Sequence, residues 1–159
     1  MILYLDSSAI VKQYVVEEGT PDLRNAVARA EIAGTSVVSR AEVVAALRKS
    51  VRVGALRERQ ATILKRRFDR GWPALVRTRV TERLIRHAGA LAWTHGLRGY
   101  DSVHLASAAA WQQALGSAVT LATFDRPLWT AAKAIALDTF PSDLPSLIDT
   151  WKRRPGTRS

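Results

Sequence analysis

Four acidic residues stand out by where they fall. Asp6 directly follows the apolar run Ile2-Leu3-Tyr4-Leu5, Glu42 lies three residues after Ser39, Asp101 closes the loop Arg98-Gly99-Tyr100, and Asp125 follows Val119-Thr120-Leu121-Ala122-Thr123-Phe124. Each has a structural role open to it. Asp6 can order a turn, Asp101 and Asp125 can cap helices, and Ser39-Arg40-Ala41-Glu42 has the form of a capping box in which Glu42 reaches back to the Ser39 amide. Four carboxylates gathered on one rim would instead repel, and removing them from water is costly unless a cation compensates. A hard divalent ion with oxygen ligands, Mg²⁺ or Mn²⁺, suits such a set. Zn²⁺ does not, because the chain has no cysteine and His87, His95 and His104 show no metal spacing.

Whether the four acids meet depends on the elements that carry them. Residues 2–5 read as a buried strand, and Asp6-Ser7-Ser8 turns the chain into a helix over 9–17. Gly19-Thr20-Pro21 punctuates, with Thr20 as a candidate cap for a helix over 22–32. A strand follows at 35–38, then helical patterns at 39–53 and 57–70, a strand at 75–80, and helices at 82–95 and 101–115. The chain closes with a strand at 118–123, a short helix at 128–136 and a final edge strand at 137–140. Strands separated by helices imply right-handed crossovers and a parallel sheet covered on both faces. The expectation is one α/β domain over residues 1–151, with a mostly parallel sheet of four to five strands, and a frayed basic tail at 152–159. In such sheets ligands bind beyond the carboxyl ends of the strands, and all four acids are predicted at that edge.

The 159 residues carry a net charge of +10, and the excess is local: residues 48–86 hold 13 Lys and Arg against 3 Asp and Glu, while the rest of the chain is balanced. Segregated positive charge suits a polyanion, although a solvated basic helix face would look the same. The absence of cysteine excludes disulfides and a thiol nucleophile. The first residues lack the basic start of a signal peptide and no apolar run is long enough to span a membrane, so the expected location is cytoplasmic. Ser7 and Ser8 lack a nucleophile-elbow context, there is no glycine-rich phosphate loop, and the five tryptophans read as packing groups. His104, one helical turn beyond Asp101, reads as a satisfied residue at the edge of the core that has the reach to orient a carboxylate.

The run Met1 to Lys12 resembles the opening of a PIN domain, with an acid at Asp6 and a small hydroxyl residue at Ser8. Ser39-Arg40-Ala41-Glu42, Tyr100-Asp101-Ser102-Val103-His104-Leu105-Ala106 and Thr123-Phe124-Asp125 are similar to that family's second, third and fourth motifs. Their order and spacing are similar to VapC-type toxin ribonucleases of toxin–antitoxin pairs. The resemblance implies Mg²⁺- or Mn²⁺-dependent RNA cleavage, a homodimer, and inhibition by a VapB-type antitoxin. It places Asp6, Glu42, Asp101 and Asp125 in the catalytic site, with Asp6, Asp101 and Asp125 as metal ligands and Glu42 as a ligand or a water-orienting group. Ser8 and Thr123 would support the site, and Arg57, Lys65 and Arg66 would guide RNA. Unlike some relatives, the chain has no further acid close after Asp125, which leaves Asp143 as an outside candidate. The competing readings are a basic nucleic-acid-binding module without catalysis and a PIN nuclease acting on DNA or in RNA processing. A phosphatase or receiver domain fits less well, because the acidic pair or lysine that each requires is not evident.

Overall fold

The computed structural model describes residues 1–153. Five strands form one sheet: β1 (Ile2–Leu5), β2 (Ile32–Ser36), β3 (Val76–Thr78), β4 (Val119–Ala122) and β5 (Asp138–Phe140). They lie in the order β3-β2-β1-β4-β5, and every pair is parallel. Leu3 sits in register with Ala33 on one side and Thr120 on the other. The helices are α1 (Ser7–Tyr14), α2 (Thr20–Arg29), α3 (Ser39–Arg52), α4 (Glu58–Gly71), α5 (Glu82–His95), α6 (Gly99–Leu115), α7 (Arg126–Ala134) and α8 (Leu144–Arg153), with a 3₁₀ turn at Trp72–Ala74.

Side chains alternate across β1, and this divides the core. Leu3 and Leu5 face a cluster built from α1 to α4, including Ile10, Leu23, Val43, Leu47 and Phe68. Tyr4 faces the opposite cluster, made by α5 to α7 with Leu91, Leu105, Leu121 and Leu128. The central strand is buried on both faces, which is why it reads as an unbroken apolar run. At Gly34 in β2, a Cβ would collide with both the Trp111 ring and the Val76 carbonyl, so only glycine lets α6 and β3 approach this closely.

The structure adjusts several element boundaries. Helix α1 begins at Ser7, because the Asp6 carboxylate accepts the Ala9 amide hydrogen and caps it two residues early. Thr20 is the first residue of α2 and not its cap; Gly19, in the left-handed region, takes that place while the Thr20 hydroxyl accepts from the Glu17 amide. Helix α8 is not among the elements expected from the sequence, although Leu144, Leu147, Ile148 and Trp151 are spaced for one apolar face. It runs through Arg153, so the first two residues of the expected tail are helical, and the remainder of that tail lies outside the described residues. Trp151 stacks on Phe124 at 6.2 Å between centroids, which ties α8 to the loop that follows β4. No helix among the described residues is long and apolar enough to cross a membrane.

Candidate functional site

In a parallel sheet the helices return antiparallel to the strands, so strand carboxyl ends and helix amino ends share one edge. Asp6 follows β1, Glu42 lies in the first turn of α3 after β2, Asp101 lies in the first turn of α6, and Asp125 follows β4 and caps α7. Hydroxyl anchors hold these pieces together. The Thr35 hydroxyl donates to the Leu5 carbonyl at 2.6 Å and lies 2.6 Å from the Ser39 hydroxyl, so the start of α3 is fastened to the end of β1. The Ser8 hydroxyl accepts from the Phe124 amide at 3.1 Å, which fastens α1 to the loop after β4.

Asp6 is only 3 % exposed and well supplied with donors. Ala9 N–H and the Ser8 hydroxyl serve Oδ1 at 2.7 and 2.8 Å, and the Thr123 hydroxyl serves Oδ2 at 2.6 Å. The Asp125 amide in turn donates to Thr123 Oγ1 at 3.1 Å. Burial pushes the Asp6 carboxyl above its usual range, against the pull of the His104 imidazole and these hydrogen bonds. Ser8 and Thr123 thus both hydrogen-bond to Asp6.

Glu42 does not form the capping box. Helix α3 has no side-chain cap, Ser39 is engaged with Thr35, and Glu42 Oε2 accepts from the Ser7 hydroxyl at 2.6 Å and lies 2.9 Å from His104 Nε2. Partial burial pushes the Glu42 carboxyl up, but the hydrogen bonds from His104 and Ser7 and the nearby imidazole outweigh it and hold Glu42 below the usual range. His104 is 2 % exposed, so a place at the edge of the core accounts for its burial but not for its partner. The signal available in the sequence is the spacing: an imidazole one turn below Asp101 has the reach to meet an acid on the same rim.

Asp101 is the exception among the four. It makes no hydrogen bond or ion pair among the described residues, so it is not a cap. Burial raises its carboxyl above the usual range, and the like charges of Asp125 and Asp6 raise it further, against Arg98 and His104. Asp101 therefore feels the charges of both Asp6 and Asp125. Among the described residues no group of three His, Asp or Glu side chains is already placed to hold a metal ion. The donor set is nevertheless all oxygen, and one of its carboxylates has no partner among the described residues, which fits a hard cation by its chemistry.

Of the other candidates, Asp143 accepts from the Ser146 amide at the start of α8, is exposed, and has its carboxyl held low by that contact. Arg40 on α3 lies 3.8 Å from Asp69 near the end of α4, so the two helices pack as an antiparallel hairpin. Lys65 and Arg66 are therefore in the half of α4 nearer the site, while Arg57 is at the far end, about 12–14 Å from them along a helix rising 1.5 Å per residue. Lys65 is paired with Asp69 at 2.7 Å, and Arg66 is exposed with no ion pair among the described residues. An open cleft of about 690 Å³ leads from Glu42 and Asp101 past Arg98 and Tyr100 to the Ile85, Gly89 and Ala92 face of α5.

The family model described as PIN domain matches residues 3–136. The chain is 34 % identical over 144 residues to ribonuclease VapC45 of Mycobacterium tuberculosis, covering 90 % of this chain and 97 % of the relative. In structure it is similar to PAE2754 from Pyrobaculum aerophilum, with a TM-score of 0.63, 19 % identity and 94 % and 90 % of the two chains covered. It is also similar to a chain of VapBC2 from Rickettsia felis, bound to a DNA fragment from the promoter of that pair. There the TM-score is 0.59 at 17 % identity, with 87 % of this chain and 97 % of that one covered.

Proposed function

The chain belongs to the PIN-domain family, and from that premise we propose that it is a divalent-metal-dependent endoribonuclease acting as the toxin of a toxin–antitoxin pair. The observation that carries this reading is Asp101, a half-buried carboxylate without a hydrogen-bond or ion-pair partner among the described residues, whose ionisation is opposed by Asp6 and Asp125. A structural cap would be hydrogen-bonded; a group kept free beside two other acids suits cation binding. Asp6, Asp101 and Asp125 would hold Mg²⁺ or Mn²⁺. When bound, such an ion supplies Lewis acidity to water and to the scissile phosphate and offsets the charge on the leaving oxygen.

The remaining work falls to the chain's own residues. Glu42, held ionised by Ser7 and His104, accepts a hydrogen bond from the attacking water and orients it. Ser8 and Thr123 fix both oxygens of Asp6. Arg66 and its basic neighbours on α4 attract the RNA backbone. Because water and not the ribose 2′-hydroxyl is the nucleophile, the products carry 5′-phosphate and 3′-hydroxyl ends. The partners in this reading are RNA, a VapB-type antitoxin and a second copy of the chain, in the cytoplasm.

The test is incubation of the protein with end-labelled tRNA and mRNA in Mn²⁺ or in chelator, with the ends of the products mapped. Cleavage that needs Mn²⁺ and leaves those ends is the expected result. RNA binding that ignores chelator, without cleavage, would instead favour a non-catalytic binding module, and cleavage of DNA alone would favour a PIN nuclease of another role.

A further inference from the structure

We propose that His104 is a positioning residue, a buried strut that fixes Glu42 so that one carboxylate oxygen is held and the other is left for the reaction. The inference rests on the reading of the acidic rim as a ribonuclease site. Four groups, each from a different element, make the strut. The Tyr4 hydroxyl from β1 lies 3.0 Å from His104 Nδ1, His104 Nε2 lies 2.9 Å from Glu42 Oε2, and the Ser7 hydroxyl donates to the same Oε2 at 2.6 Å while lying 3.2 Å from Nε2.

The chemistry sets the direction of these bonds. A carboxylate only accepts, so Nε2 carries a hydrogen whether the ring is neutral or charged. In the neutral ring, Nδ1 then accepts from Tyr4. Tyr4 is fully buried and packs edge-on against both His104 and Trp111, with centroids 5.9 and 5.8 Å away, so the imidazole rests on a rigid base. Burying an imidazole is costly unless both nitrogens are paired, and here both are. A histidine serving packing alone would need no carboxylate from the site rim. Both contacts to Glu42 fall on Oε2, and Oε1 has no hydrogen bond among the described residues. The strut thereby removes the torsional freedom of a long side chain and presents one defined oxygen.

The test separates the two nitrogens. In His104→Gln the amide N–H can replace Nε2–H, whereas in His104→Asn it falls short of Glu42 and replaces only the Nδ1 side. The expected result is near wild-type RNA cleavage for the Gln variant and a kcat about 10–100-fold lower for the Asn variant with KM unchanged. In a Glu42→Ala background the His104→Asn change is expected to cost nothing more. If the Asn variant does not fold, Tyr4→Phe, which withdraws the support at Nδ1, carries the kinetic arm. In parallel, ¹⁵N NMR of the histidine rings is expected to show a protonated, hydrogen-bonded Nε2 for His104 that is disturbed by Glu42→Ala. Full activity of the Asn or Phe variant, additive losses in the Glu42→Ala background, or a bare Nε2 would each overturn the strut. Failure of the wild-type protein to cut RNA would overturn the ribonuclease reading alone, and the NMR result would still decide whether the strut exists.

Discussion

At the scale of single residues, the four acids are not equivalent. Asp6 and Asp125 combine a helix cap with a place at the rim, Glu42 is held by two side chains, and Asp101 makes no hydrogen bond or ion pair among the described residues. This difference makes metal binding testable through stability as well as through activity. A carboxyl raised above its unfolded value adds stability below that value and loses it as pH rises through the folded one, so an ionised Asp101 is a net cost at neutral pH. Asp101→Asn is therefore expected to raise Tm by a few degrees at most in chelator at pH 7, since solvent screens its exposed side. Mn²⁺ is expected to raise the Tm of the wild-type protein and to leave the variant's nearly unchanged, as measured by thermal melts with and without the ion. The same substitution is expected to abolish RNA cleavage with the fold retained. A variant that cuts at the wild-type rate would remove Asp101 from the site.

At the scale of elements, the rim exists because parallel strands and returning helices align their ends, and that much is legible from strand runs and helix signals. The apolar run of β1 and the helix at 82–95 are local patterns, and they stand where the sequence places them. Sequence and structure part where a side chain takes a distant partner over a near one. Ser39 and Glu42 have the spacing of a capping box, but Thr35 takes Ser39 and His104 takes Glu42 across 62 residues, a choice that only the packed sheet can offer. Helix α8 is masked because Pro145 and the serines on either side of it read as a loop, and its stability comes from Leu144 and Trp151 docking on the body. Gly34 shows the same dependence on packing. Gly34→Ala is expected to destabilise the fold by about 1–3 kcal/mol, the usual cost of overpacking, with the shift read from urea unfolding midpoints. Wild-type stability of that variant would mean that both the Trp111 ring and the β3 backbone at Val76 give way freely.

At the scale of the whole molecule, charge and apolar surface are segregated around the rim. On one side the α3–α4 hairpin carries nine of the thirteen Lys and Arg of the basic block, among which Arg59, Arg66, Arg67 and Arg70 make no ion pair among the described residues. On another, α5 exposes Trp93 at 91 % and Ile85 at 42 %, of which Ile85 lines the cleft that reaches Asp101. Placing the second copy of the proposed dimer on that face predicts that Trp93→Glu shifts the protein toward monomer in light scattering. The basic hairpin makes a separate and quantitative demand. Binding of single-stranded RNA through its phosphates weakens with salt, with a log–log slope of about −0.7 per phosphate neutralised. Arg66 and Arg70 lie at the site end of α4 and Arg57 at the other end, so their contributions should differ. Replacing Arg66 and Arg70 by Gln in a catalytically silent Asp101→Asn background is expected to weaken RNA binding uniformly across sequences. The slope is expected to become shallower by about 0.7 for each phosphate no longer neutralised, as read from filter binding over a salt series. Arg57→Gln is expected to change neither. An unchanged slope in the double variant would show that the RNA takes another path across the rim and that the basic hairpin is a solvated face.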